Sequence, residues 1–177
     1  MKRQSWKGLF TSAVVATTLL APTTAMAAVD MFLKIGDIVG ESQDSKHKGE
    51  IDVLAWSWGA SNAGKAPGTC IQDLSLTKYI DSATPALIMN GMTGEVAPTA
   101  VLVVRKAGDS PLEYLTLTMK NVTISSYSSG GSGGEDRLTE NVTLHFESMT
   151  GQYRKQKADG SGEAPLTWVI GGSKSCK

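Results

Sequence analysis

The sequence predicts a mainly β fold: a compact antiparallel β-barrel of two packed sheets carrying one short α-helix. Three observations carry that expectation. Apolar residues recur with period two from Met31 onward, not with the period of a helix. Loops rich in Gly, Ser, Asn and Pro separate the apolar runs, and only one segment combines helix-start with helix-stop signals. Many short strands with a single helix suit either a barrel or a sandwich. The barrel is favoured because closure protects strand edges that would otherwise be open to pairing.

The first segment is set aside before the fold is read. Lys2, Arg3 and Lys7 form a basic n-region, Leu9 to Leu20 is an apolar run, and Pro22 breaks it ahead of the small-x-small sequence Ala25-Met26-Ala27. The run is too short to span a bilayer as a helix. Residues 1–27 therefore read as a secretory signal peptide, leaving 28–177 as a single domain. The alternative is a start at Met26, which makes the leader an artefactual extension and the chain cytoplasmic before any export. Cleavage after Ala27 leaves 177 − 27 = 150 residues, enough for one domain with a real core. The leader holds three of the 17 basic residues and none of the 17 acidic ones, so the rest carries 14 against 17, a net of −3. That balance lacks the basic patch of a nucleic-acid binder. No other apolar stretch is long enough to cross a membrane as a helix.

The strands follow in order. Ile51 to Trp58 alternates, with Leu54, Trp56 and Trp58 on one face and Ile51, Val53, Ala55 and Ser57 on the other. Leu54 beside the tryptophans assigns their face to the core and leaves Ser57 looking the other way. Ile71 to Tyr79 and Ala100 to Lys106 come next, the second almost wholly apolar at Val101 to Val104. Leu112 to Met119 puts Leu115, Leu117 and Met119 on one face, whereas Val122 and Ile124 continue the apolar set one residue out of step. Such a slip marks a bulge or bend in a strongly curved sheet. In Leu138 to Glu147, Val142, Leu144 and Phe146 point inward and Thr139, Asn141, Thr143, His145 and Glu147 outward. Gln152 to Gln156 and Leu166 to Ile170 are weaker strands. Between them, Ser82-Ala83-Thr84-Pro85 offers hydroxyl N-caps and a first-turn proline, and Ala86 to Asn90 continues as a helix of about two turns. Gly91 or Gly94 can end it. The connections are Asn62 to Gly68, Lys106 to Pro111, Ser128 to Gly134 and Ala158 to Pro165, and no internal repeat is visible.

Nothing in this pattern converges as an acid–base or nucleophilic centre must. His47 sits in the charged stretch Asp44 to Lys48 and His145 on a polar strand face, so both are expected to be solvated. Ser128 to Gly134 invites a phosphate-loop reading, but no Lys-Ser or Lys-Thr follows the glycines and the next element is a strand. Glu135 and Asp136 are too few carboxylates for a calcium loop, and Arg137 beside them suggests a local ion pair. The sequons at Asn121 and Asn141 lie within strand patterns and read as chance matches. Cys70 and Cys176 could form a disulfide in an exported chain, yet two cysteines make no disulfide framework. No metal, cofactor or catalytic role is expected.

Several stretches taken together resemble the hemolysin-coregulated protein (Hcp) family of type VI secretion. They are Ala28 to Asp37 (AVDMFLKIGD), Gly40-Glu41-Ser42, Gly49 to Gly59 (GEIDVLAWSWG), Asp73 to Asp81 (DLSLTKYID), Arg105 to Gly108 (RKAG) and Ser129 to Leu144 (SGGSGGEDRLTENVTL). The resemblance spans roughly Ala28 to Ala158, while Asn62 to Cys70 and the tail from Trp168 follow the family pattern less clearly. It implies a β-barrel that assembles into hexameric rings, which stack into a tube, carry effector proteins in the lumen, meet sheath and tip proteins, and are themselves exported. It also implies loading from the cytoplasm, so a cleaved leader and a start at Met26 lead to different routes, with or without periplasmic passage. Under this resemblance Ser57, Ala55 and Val53 are candidates for lining the pore and touching passengers. Glu41, Ser42, Gly133, Glu135, Asp136 and Arg137 are candidates for ring or stacking contacts. The competing reading is a secreted β-barrel binding module that acts outside the machine through the tryptophan face or the Gly-rich loop. An appended enzyme or toxin would need more chain than the 177 − 156 = 21 residues after Gln156.

Overall fold

The computed structural model describes residues 29–62, 69–108, 111–134, 136–171 and 174–175. The leader assigned to residues 1–27 lies outside them. The elements are β1 (Val29–Ile35), β2 (Ile51–Asp52), β3 (Ala55–Ser57), β4 (Ala60–Asn62), β5 (Thr69–Ile71), β6 (Leu74–Tyr79), α1 (Thr84–Thr93), β7 (Ala97–Lys106), β8 (Leu112–Gly130), β9 (Thr139–His145), β10 (Ser148–Tyr153), β11 (Leu166–Gly171) and β12 (Lys174–Ser175). Nine strands form one sheet along the path β2-β1-β7-β8-β9-β6-β3, with β10 paired to β8 and β11 to β10. All of its ladders are antiparallel. β12, β5 and β4 make a small second sheet in which β12 runs parallel to β5.

The long strand β8 organises this sheet. Its first half pairs with β7 on one side and β10 on the other; from Thr123 onward it pairs with β9. The turn between the halves is made at Asn121, which adopts a positive φ of 49°. Asparagine tolerates that left-handed conformation better than most residues. Leu117 and Met119 point inward before the bend, Val122 and Ile124 after it, so the slip expected from the sequence is a real change of direction. A further register shift between Ile124 and Ser126 bends the same strand again.

The run from Ile51 to Trp58, expected as one strand, is two. The Val53 amide donates to the Met31 carbonyl at 2.9 Å, and the next amide, of Leu54, donates to the Thr77 carbonyl at 2.8 Å. The chain therefore leaves β1 and joins β6 at that peptide. Alternation slips by one residue there: Ile51 and Val53 are buried, whereas Leu54, Ala55 and Ser57 are exposed. Leu54 is thus not a core residue, although Trp56 and Trp58 pack partly buried against the core as expected. The sheet path starts on β2 and ends on β3, and these ends are joined through the backbone of Val53 and Leu54. The closed ladder expected of a barrel is not what joins them.

The helix is longer than the two turns expected, with 10 residues, and Gly94 ends it at φ 70°. Gly91 lies inside it, packed so closely on β8 that an added Cβ would come within 3.2 Å of Ile124. No hydroxyl caps the first turn in the expected way. Instead the Asp81 carboxylate accepts from the Ala83 amide at 2.9 Å, and the Thr84 hydroxyl accepts from the Asp81 amide at 3.1 Å.

Thr84 also reaches a buried ion pair that the alternation did not reveal. Lys78 and Glu140 occupy inward positions on β6 and β9, directly opposite one another, and both are fully buried. The Lys78 ammonium donates to Glu140 at 2.6 Å, to Asp81 at 2.7 Å and to the Tyr79 carbonyl at 2.8 Å. That uses all three of its hydrogens. Glu140 accepts in addition from Thr84 and from the Tyr127 hydroxyl at 2.8 Å. Burial, then the neighbouring Glu140 carboxylate, pushes the Tyr127 hydroxyl above its ordinary value of 10. The cluster ties the start of α1 to β6, β8 and β9.

A second set of charges holds the segment between β1 and β2. Arg105 on β7 donates to Asp30 at 2.8 Å and to Asp44 at 2.6 Å, with its guanidinium 4.8 Å from the Phe32 ring centroid. His47, expected to be solvated, is 7% exposed. It stacks on Phe32 at 4.2 Å and bonds Glu50 at 2.9 Å. The Arg105 guanidinium first, then the Lys46 amide, holds the Asp44 carboxyl well below the usual 3.8.

Two outcomes follow. Lys78→Met leaves Glu140 buried without its cation and should lower unfolding free energy by about 3–5 kcal/mol in urea titration. For Asp44 the folded value is depressed, so its contribution is present above about pH 4 and lost as pH falls further. The thermal midpoint of Asp44→Asn should accordingly lie below that of the parent chain at pH 7 and approach it between about pH 4 and pH 2.

Candidate assembly surface

Because alternation buries Leu74, Leu76 and Lys78 on β6 and Val142 and Leu144 on β9, the residues between them face outward. Strand register then sets them in rows. Ala55 on β3 stands opposite Thr77, which stands opposite Asn141 and then Ser128. In the next row Ser57 is followed by Ser75, Thr143 and Ser126. The Thr77 hydroxyl donates to the Asn141 amide oxygen at 2.8 Å, and the Ser75 and Thr143 hydroxyls lie 3.3 Å apart. The eight side chains, seven short polar groups and the Ala55 methyl, form an uncharged wall across four strands. At its margin Asp73 bonds His145 at 2.9 Å and accepts from Ser125 at 2.7 Å. His145 is therefore half-buried and partnered by a carboxylate, not simply solvated.

Of the three residues expected on this wall, Ser57 and Ala55 lie in it. Val53 does not: the strand switch at Leu54 turns it into the core, where it is 6% exposed. Ser42, expected as a contact residue, is likewise buried at 1%. Its backbone is bonded both ways within the segment, by its amide to Glu50 and its carbonyl to Gly49, so it shapes this loop instead of presenting a surface. Glu41 is exposed and accepts from the Ser82 amide at 3.0 Å, joining the segment to the start of α1. Gly133 and Asp136 are exposed, and Glu135 lies outside the described residues. The Arg137 guanidinium sits 4.1 Å from the Tyr79 ring centroid, and among the described residues it makes no ion pair with Asp136. Cys70 is disulfide-bonded; Cys176, the only other cysteine in the sequence, lies outside the described residues.

No group of three or more His, Cys, Asp or Glu side chains is placed to hold a metal ion among the described residues. The cluster of Lys78, Glu140, Asp81, Thr84 and Tyr127 has the composition of a catalytic site, but its polar groups are spent on one another inside the core. Sequence reasoning missed it, although a signal existed. Lys78 keeps the phase of Leu74 and Leu76, and Glu140 that of Val142 and Leu144, so each is a charge at an inward position of a neighbouring strand.

Comparison with known proteins agrees with this architecture. Residues 32–153 match the family described as "Type VI secretion system effector, Hcp". The chain is 55% identical over 155 residues to Protein hcp1 of Pseudomonas aeruginosa, covering 81% of this chain and 96% of that one. Among solved structures it is similar to Hcp1 from Salmonella typhimurium, with 38% identity, a TM-score of 0.68 and coverage of 82% and 95%. It is also similar to a type VI secretion system effector from Yersinia pestis, with 34% identity, a TM-score of 0.70 and coverage of 80% and 99%. The chain belongs to the Hcp family of type VI secretion system proteins.

Proposed function

We propose that this chain is the ring-forming subunit of a type VI secretion tube. Six copies close into a ring, rings stack into a hollow tube that meets sheath and tip proteins, and effectors travel in the lumen as the tube itself is exported. The observation that carries the reading is the 55% identity to Protein hcp1 across 96% of its length. The fold supports it. A sheet whose end strands are joined by the chain itself supplies a curved, barrel-like wall, and head-to-tail contacts between unlike patches generate a ring when the rotation closes.

Within this reading the lumen is faced by the rows through Ser57 and Ala55. Short hydroxyl and amide groups give passengers hydrogen-bond partners without a net charge that would trap one class of cargo by its field. Their mutual bonds, such as Thr77 to Asn141, hold the wall smooth. Neither row contains an Asp, Glu, Lys or Arg.

Two measurements test the reading. Light scattering of the purified chain should give the mass of six copies, and a mass of one copy at high concentration would reject the ring. Ser57→Trp should leave rings intact while weakening retention of a co-purifying effector about tenfold, or about 1.4 kcal/mol. Unchanged retention in intact rings would remove the lumen assignment.

A further inference from the structure

β12 is held to the rest of the sheet by two residue pairs. It runs parallel to β5, with Lys174 opposite Cys70 and Ser175 opposite Ile71. Parallel pairing is slightly the less stable kind per residue. The stretch Gly171-Gly172-Ser173-Lys174-Ser175 contains no β-branched or aromatic strand former. Fixing such residues costs backbone entropy, glycine most of all, and two pairs return little against it. The position of β12 therefore needs a further bond.

β5 is by contrast a fixed partner. Ile71 is 6% exposed and belongs to the core. β4 pairs with β5 from Thr69 to Ile71, and the Gln72 amide continues that ladder to the Gly59 carbonyl at 2.8 Å. β12 covers the edge of β5 that β4 leaves open. On its other side β12 follows β11, which ends at Gly171 and pairs with β10 at the margin of the large sheet. The segment after β11 thus passes from the large sheet to the small one.

The further bond is at Cys70, which is partly exposed and disulfide-bonded. The sequence holds one other cysteine, Cys176, one residue beyond β12. A bond between them spans 176 − 70 = 106 residues of chain, a long loop whose closure restricts the unfolded state strongly.

We propose that Cys70 and Cys176 form a redox-operated clasp: oxidation fixes β12 against β5, and reduction releases it and bares the edge of β5. In closing, two S–H bonds break and one S–S bond forms. The two electrons and two protons pass to a disulfide oxidant such as oxidised glutathione, which is split into its two thiols. A dithiol reductant runs the exchange backwards. Reducing compartments keep such thiols apart, whereas a periplasm or the cell exterior joins them. The clasp therefore closes during periplasmic passage when the leader is cleaved, and only after export when the chain starts at Met26.

Brief trypsin digestion of the purified chain in oxidised glutathione and in dithiothreitol tests the clasp. Oxidation should lower the intact mass by two hydrogens, and complete digestion should give Ser175–Lys177 joined to Ala66–Lys78. Cleavage after Lys174, read by mass spectrometry after quenching and reduction, should be about tenfold slower in the oxidised chain, because β12 must open first. The oxidised chain should also melt about 5 °C higher. Cys176→Ser should behave in both buffers like the reduced parent, and Cys70→Ser replaces it should that variant fail to fold. A chain that keeps both thiols in oxidised glutathione, bonds found only between copies, or equal cleavage after Lys174 in the two states would overturn the clasp.

Discussion

Lys78 and Glu140 meet inside the molecule at a point where two strands, a third and the start of the helix converge, and the outward wall on the reverse of β6 and β9 is built on that meeting. Each ion would cost several kcal/mol to bury unpaired. The ammonium finds three acceptors, and the carboxylate accepts from the ammonium and two hydroxyls, so the cost is offset only in this one arrangement of β6, β9, β8 and α1. A hydrophobic pair of the same volume would pack without dictating that geometry. The outward rows of β6 and β9 lie on the reverse side of these same strands.

β8 provides the complementary constraint. A 19-residue strand that stayed straight would leave the sheet flat and its inward set on one plane. The positive φ at Asn121 and the shift after Ile124 turn it, so that β7 and β10 flank one half and β9 the other. Curvature comes from places where pairing is interrupted, as bulges generally provide it. The same logic explains the break at Leu54, where one peptide exchanges partner strands and the chain itself connects the two ends of the sheet path.

The wall through Ser57 is a surface of its own chemistry. The wall is uncharged, short-chained and internally bonded, and so offers little grip. Solved relatives at 38% and 34% identity keep the fold over at least 80% of this chain.

What the sequence determined by itself is what depends on near neighbours. Period-two runs placed the strands around Ala100 to Lys106 and Leu138 to Glu147, Pro85 marked the start of the helix while its stop was left open between Gly91 and Gly94, and the slip between Met119 and Val122 marked the bend. The quoted stretches pointed to the family. What only the tertiary structure decided is what depends on which strand lies beside which. Val53 is buried and Leu54 exposed because the chain changes partners between them. Ser42 and His47 are buried because the loop that bears them folds back on Phe32 and Arg105, more than 50 residues from one another along the chain. Lys78 and Glu140 tolerate burial only because residues 62 apart arrive opposite each other. Local pattern sets which way a side chain points; non-local pairing sets what it finds there.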